Sequence, residues 1–412
     1  MEHKNTEEIV DHLFRHEYGK MVSILTRIFG FDHLEMVEDV VQDTFIKALK
    51  SWREKIPENP QGWLMRAAKN RAIDILRRGK VGAKKITELP KGTGIAVVNE
   101  LFLEHEVADS QLRMIFACCH PLLNKSDQIA LNLQLVSGFG QKEIGKALLL
   151  HPETVKKRLQ RAKKKLRDNH TELDIPTGQE LATRTETVLQ VLYLLFNEGY
   201  YSSSPDEPIR KDLCVEAMRL TKIVCHHELT NVPQANVLLA LMCYHAARIE
   251  SRVGANNHLI LLKDQDRSLW NQELIQIGHY YFYRGNDVET LSKYHLEAAI
   301  AGHHCNAKSY EETNWKSLKT FYTSLYLRTQ SPIVLLNKAV VLMENNELLE
   351  ARALVKSIDE ESIKGSKHLY HSVLAEIYRK LDDEPMFLHH NAQAIALTNN
   401  PTEKELLEQR KL

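Results

Sequence analysis

The chain has 412 residues, 43% hydrophobic and 26% charged, with 54 Lys plus Arg balancing 54 Asp plus Glu. That length allows two to four domains with real cores, and the composition excludes a disordered chain, which needs low hydrophobicity and high net charge. With 17 Gly and 12 Pro it also excludes a collagen-like or low-complexity chain. No apolar run reaches the ~18–20 residues of a membrane helix, and the longest, Val188 to Phe196, falls well short, so no membrane association is expected. The opening MEHKNTEEIVDHLF is charged and holds no signal-peptide core, and six cysteines in so long a chain make no disulfide framework. A reducing cytoplasm is the expected location.

Helical periodicity runs from end to end and no stretch alternates as a strand, so an all-α fold is expected. Helices are predicted over 6–29, 33–52 and about 61–78, the last two parted by KIPENPQG (55–62), whose prolines break helix geometry. Residues 79–104 follow as a flexible linker, because 79–99 alone carry four glycines and a proline. A second helical block spans 105–168, Asp174–Gly178 (DIPTG) marks a further boundary, and helices continue to the end. The domains expected are 1–78, 105–172 and 178–412.

In the first block, residues 36–52 (MVEDVVQDTFIKALKSW) turn Val37, Val40, Val41, Phe45, Ala48 and Leu49 inward. Glu38, Asp39, Gln42 and Asp43 form an acidic, amide-bearing face. The helix after the loop combines Trp63 and Asn70 with Arg66, Lys69, Arg71, Arg77 and Arg78. Aromatic rings and cations together suit single-stranded DNA, through stacking and phosphate contacts, although Trp63 also has the size and place of a core residue.

The zero net charge hides an asymmetry. Residues 141–167 carry 10 basic side chains against two acidic ones, whereas 168–412 carry 25 basic and 33 acidic. The basic segment reads QKEIGKALLLHPETVKKRLQRAKKKLR. Ile144, Leu148, Leu150, Val155, Leu159 and Leu166 give it the buried seam of a helix-turn-helix, and Pro152 suits the first turn of the second helix. That helix presents Lys156, Lys157, Gln160, Arg161, Lys163 and Lys164 outward, a pattern fitted to a DNA major groove.

This segment resembles region 4 of bacterial sigma factors of the extracytoplasmic-function type, through Glu143-Ile144-Gly145 and Thr154-Val155-Lys156-Lys157-Arg158-Leu159-Gln160-Arg161-Ala162-Lys163. It departs from the family at the turn, where Leu149 stands for the usual Gly and His151 for a Ser or Thr cap. The first block is similar to sigma region 2: Asp39, Gln42, Asp43 and Phe45 match the helix that grips polymerase. Trp63, Asn70, Asp74, Arg77 and Arg78 match the helix that opens and reads the −10 element. The resemblance implies binding to the β′ and β subunits of the RNA polymerase core and to promoter DNA. Residues Asp39, Gln42, Asp43 and Phe45 would meet polymerase, and Trp63, Arg66, Lys69, Asn70, Arg71, Arg77 and Arg78 the opened −10 strand. Glu153, Thr154, Lys156, Lys157, Arg158, Gln160 and Arg161 would meet the −35 duplex.

The long tail resembles the subgroup with a fused, TPR-like helical domain, through phrases such as Leu192–Tyr200 (LYLLFNEGY), Leu262–Trp270 (LKDQDRSLW) and Cys118-Cys119-His120-Pro121. Leu336, Ala339, Leu342 and Ala351, then Leu374, Ala375 and Tyr378, have the small-residue spacing of two helical hairpins, with Phe387 where a small residue is expected. Such a stack implies a protein or small-molecule regulator of the tail. Cys225-His226-His227, His303-His304-Cys305 and His389-His390 look like metal ligands, but neighbours diverge by ~100° on a helix. No metal or other cofactor is therefore expected. Glu198 and Asp266 are candidates to line a pocket. No phosphate loop, nucleophile elbow or zinc-protease motif occurs, so no enzyme is expected. The alternative is a stand-alone helix-turn-helix regulator with a TPR partner-binding domain. An RNA- or nucleotide-processing enzyme on such a scaffold would need a catalytic constellation that is not found.

Overall fold

Local capping sets the first three helices. In the computed structural model, which describes residues 2–78, 93–148, 150–201, 209–254, 260–398 and 401–410, α1 (Glu2–Phe29) stops at Gly30. There φ is +83°, a left-handed geometry that only glycine enters cheaply. α2 (Leu34–Ser51) buries Val37, Val40, Val41, Phe45 and Ala48 along one stripe. α3 (Pro60–Arg77) begins with Asn59 accepting from Gly62 N–H at 2.8 Å and with Pro60 in the first turn, where its missing N–H costs nothing.

α4 (Thr93–Leu101) corrects the linker expected over 79–104. Residues 79–92 lie outside the described ones. Residues 93–101 are helical because Val98 and Leu101 are buried where α4 packs on α3 and α5 (Glu104–Cys118). α6 (Lys125–Leu131) runs into a π turn over 132–136, closed by Ser137 N–H donating to the Asn132 carbonyl at 3.1 Å. α7 (Gln141–Ala147), α8 (Pro152–Asp168), α9 (Gly178–Tyr200) and α10 (Lys211–His226) follow.

The chain divides into two compact units, 1–198 with 222–230, and 199–221 with 231–412. The N-terminal unit therefore holds both sequence blocks and the start of the tail, so its boundary falls beyond residue 178. Its centre is α1, packed on α2 and α3 and also on α5 and the π turn. A Cβ on Gly19 would stand 1.8 Å from the Val136 carbonyl oxygen, so the backbones of α1 and the π turn meet there. Around this contact Arg27 pairs with Glu106 and Asp109 at 2.7 and 2.9 Å, and Arg184 of α9 donates to the Phe116 carbonyl. Cys118 and Cys119 are buried thiols.

In the C-terminal unit α11 (Pro233–Ala246) is apolar on all sides and buries every residue from Ala235 to Tyr244. Around it lie α13 (Gln272–Gly285) and α14 (Lys293–Asn306), while the short α12 (Ile249–Arg252) follows it in the chain. From α15 (Trp315–Thr329) the helices pack successively: α16 (Pro332–Glu344), α17 (Leu348–Lys356), α18 (Lys367–Lys380), α19 (Glu384–Leu397) and α20 (Pro401–Glu408). Leu336, Ala339, Leu342, Ala351, Leu374, Ala375, Tyr378 and Phe387 share one core. The His pairs go to packing: His303 meets the Phe321 ring, and His390 stacks on Tyr378 with its Nδ1 2.9 Å from that of His371. Among the described residues no three His, Cys, Asp or Glu side chains group to hold a metal, and no helix is long and apolar enough to cross a membrane.

Candidate nucleic-acid interface

The α7–α8 pair forms around Ile144, Val155, Leu159 and Leu166, all buried. Its turn closes on Gly145: a Cβ there would lie 2.6 Å from the Leu150 carbonyl oxygen, and Leu150 N–H donates to the Gly145 carbonyl at 2.8 Å. The departure at Leu149 lies outside the described residues. His151 takes the capping role of a Ser or Thr, its Nδ1 accepting from Glu153 N–H at 3.4 Å. Glu143 accepts from Gly140 N–H at 2.8 Å and caps α7.

From this scaffold Glu153, Thr154, Lys156, Lys157, Gln160 and Arg161 are exposed. Arg158 differs from expectation. It is half-buried and turned toward Asp127, with N–O separation 3.7 Å, so its charge is held inside the α6–α8 contact and away from a groove.

On α2, Asp39, Gln42 and Asp43 are exposed and adjacent along one face. Phe45 is not part of that face. It is 4% exposed and packs on the Phe14 ring at 4.8 Å, so in this structure it holds the helix in place from the inner side. Glu38, next to the acidic face, is also engaged: both its oxygens accept from Lys163 Nζ at 2.7 Å, and one accepts from the Tyr18 hydroxyl at 3.2 Å. Arg167 meets Glu35 at 3.4 Å. The basic face of α8 thus rests partly on the acidic side of α2.

On α3, Trp63 is half-buried and sets its ring edge-on to Trp52 at 5.5 Å. It lines an open cleft of about 540 Å³ with Asn70, Arg71, Asp74, Lys47 and Lys50. Arg66, Arg77 and Arg78 are exposed and Lys69 is half-buried. Lys47 and Lys50 escaped the sequence reading. Their signal was their position in the last turns of α2, beside Trp52.

Asp266, expected to line a pocket, instead caps a short 3-10 turn, accepting from Ser268 N–H at 2.9 Å on the exposed surface.

Comparison with known proteins bears on these surfaces. Residues 13–81 match the sigma-70 region 2 family and 113–166 the sigma-70 region 4 family. Residues 184–285 match a family of unknown function, DUF6596. The chain is 30% identical over 383 residues to the uncharacterized protein R00370 of Rhizobium meliloti, covering 90% of this chain and 88% of that one. It is 28% identical over 158 residues to the ECF RNA polymerase sigma factor SigE of Mycolicibacterium smegmatis, spanning 38% of this chain and 60% of SigE. It is 30% identical over 158 residues to the RNA polymerase sigma factor CnrH of Cupriavidus metallidurans, spanning 36% of this chain and 80% of CnrH. No solved structure matches the chain. Regions 2 and 4 in their family order, with likeness extending over most of CnrH, place the chain among the RNA polymerase sigma factors of the sigma-70 family.

Proposed function

We propose that this protein is an extracytoplasmic-function sigma factor whose Asp39, Gln42 and Asp43 dock on core polymerase. The α3 cleft then takes the opened −10 strand, and α8 reads the −35 duplex through Thr154, Lys156, Lys157, Gln160 and Arg161. The action is binding, with no chemical step. One observation carries this reading over a stand-alone regulator: α2 exposes a compact acid-and-amide face, while the aromatic, amide and cations of the cleft gather beside it on α2 and α3. A protein that only binds duplex DNA needs neither. Reversing two charges, Asp39→Arg with Asp43→Arg, leaves the buried stripe intact, and co-purification with core polymerase should then fall sharply. Undiminished binding with normal helicity would favour the stand-alone regulator.

The two reading surfaces sit on helices that touch, since Lys163 of α8 lies 2.7 Å from Glu38 of α2. Promoter elements centred 10 and 35 base pairs from the start site are roughly 85 Å apart along B-form DNA, at 3.4 Å per base pair. No single rigid copy of the N-terminal unit bridges that span. On this reading the unit opens between α1 and α5 when it meets polymerase and promoter. The α16–α19 hairpins we read as TPR-like and as a partner-binding scaffold, supported by their shared small-residue core and by the acidic excess of the tail.

A further inference from the structure

Arginine is rarely buried without a carboxylate, because desolvating a guanidinium is costly unless charge and hydrogen bonds compensate. Besides Arg210, which pairs with Asp212 at 3.1 Å, the C-terminal unit buries two more: Arg248 is 8% exposed and Arg252 9%. Arg248 donates to the Tyr200 hydroxyl at 3.1 Å and to His245 Nδ1 at 3.2 Å, and its buried Nε has no partner. Arg252 lies 3.8 Å from the centre of the Tyr200 ring and donates to the Tyr200 carbonyl. Arg267, half-buried, shares the Trp270 indole with Arg248, the two standing 4.5 and 5.6 Å from the ring centre. Arg267 donates to the carbonyls of His304 and Ala307, both at 2.7 Å, and leaves a buried Nη2 without a partner.

Among the described residues none of these three arginines forms an ion pair. Glu311 acts on Arg267 through space, without pairing with it. The two histidines beside them bring no negative charge: burial, then the arginines, hold His245 well below its ordinary value and His304 down to about 3. The cluster also opens to solvent. Tyr201 keeps 59% of its surface accessible, with the Arg252 guanidinium 5.0 Å from its ring centre.

We propose that Arg248, Arg252 and Arg267, with Tyr201 at the mouth, bind the oxyanion of a small molecule, phosphoryl or carboxylate. The unpartnered Nε of Arg248 and Nη2 of Arg267 supply donors, and the Tyr201 ring flanks whatever carries the anion. This gives the LKDQDRSLW phrase a purpose. Asp266 sets the turn that presents Arg267, and Trp270 is pinned by its Nε1–H donating to Ser251 Oγ at 2.8 Å. All the arginines and Trp270 fall inside 184–285, the family of unknown function. The site stands independently of the transcription reading.

Equilibrium dialysis of the full chain against labelled inorganic phosphate, at fixed ionic strength, tests it. One saturable phosphate per chain is expected, weakened about tenfold or more by Arg248→Gln and by Arg267→Gln, and unchanged by Lys156→Gln with Lys157→Gln on α8. Displacement by acetate would assign a carboxylate ligand, and resistance to it a phosphoryl one. Arg267 is half-exposed, so its variant reads the site even where Arg248→Gln fails to fold. The proposal is overturned by folded wild-type protein that binds no phosphate at about 10 mM, or by binding that only the α8 variant abolishes.

Discussion

Gly19→Ala is the sharpest probe of how the two sigma regions are held together. The new methyl would sit 1.8 Å from the Val136 oxygen and 2.4 Å from its carbon, and both are backbone, so no side chain can swing aside. The helices must part by more than 1 Å to reach ordinary contact, roughly from 1.8 toward 3.4 Å. Such overpacking costs about 1–3 kcal/mol. Within α1 itself alanine is favoured over glycine by about 1 kcal/mol, so the helix is not what suffers. A net loss near 2 kcal/mol at the contact raises the opened fraction about 30-fold. Hydrogen exchange of amides 132–137 should accelerate by that factor while helicity is retained. Gly365→Ala, with nothing within 4 Å of its new methyl, is the matched control. Unchanged protection in Gly19→Ala would mean that α1 and the π turn do not meet as described, and the opening proposed above would lose its hinge.

Other consequences can be read directly. Lys157→Glu with Arg161→Glu reverses two exposed charges on α8, so promoter affinity and its salt slope should drop while polymerase binding persists; unchanged affinity at moderate salt would refute the groove assignment. Glu38→Gln leaves Lys163 without its counter-charge, and exchange along 156–167 should speed up; equal rates would reduce the pair to a surface contact. Burial, then His371, His389 and Lys356, push His390 down to about 4, and burial with Arg248 and Arg267 puts His304 at about 3. Both folded values lie below the unfolded ~6.5, so the unfolded chain takes up protons first. Stability should hold above that pH and fall steadily toward pH 4, and a urea midpoint that stays flat between pH 7 and 5 would contradict it.

The helix-turn-helix was legible in the sequence because its determinants are local: a periodic apolar seam, Pro152 and a run of cations within one short segment. The motif match for Phe45 reports position in a family and says nothing of its burial, which depends on Phe14 of another helix. The helix at 93–101 was hidden by surrounding glycines, and its order comes from burial of Val98 and Leu101 against distant partners. Lys163 and Glu38 lie 125 residues apart, so no spacing rule joins them. The same holds for the arginine cluster. LKDQDRSLW was conspicuous, but its meaning depends on Tyr200 and Arg248, which only the packing of the C-terminal unit brings beside it.

Run-off transcription with purified core polymerase and the full-length protein tests the central claim most directly. Transcripts should start from specific promoters only when the protein is present, and they should vanish with Asp39→Arg and Asp43→Arg. Tight, specific duplex binding with no polymerase-dependent transcript from any bound promoter would contradict a sigma factor's action.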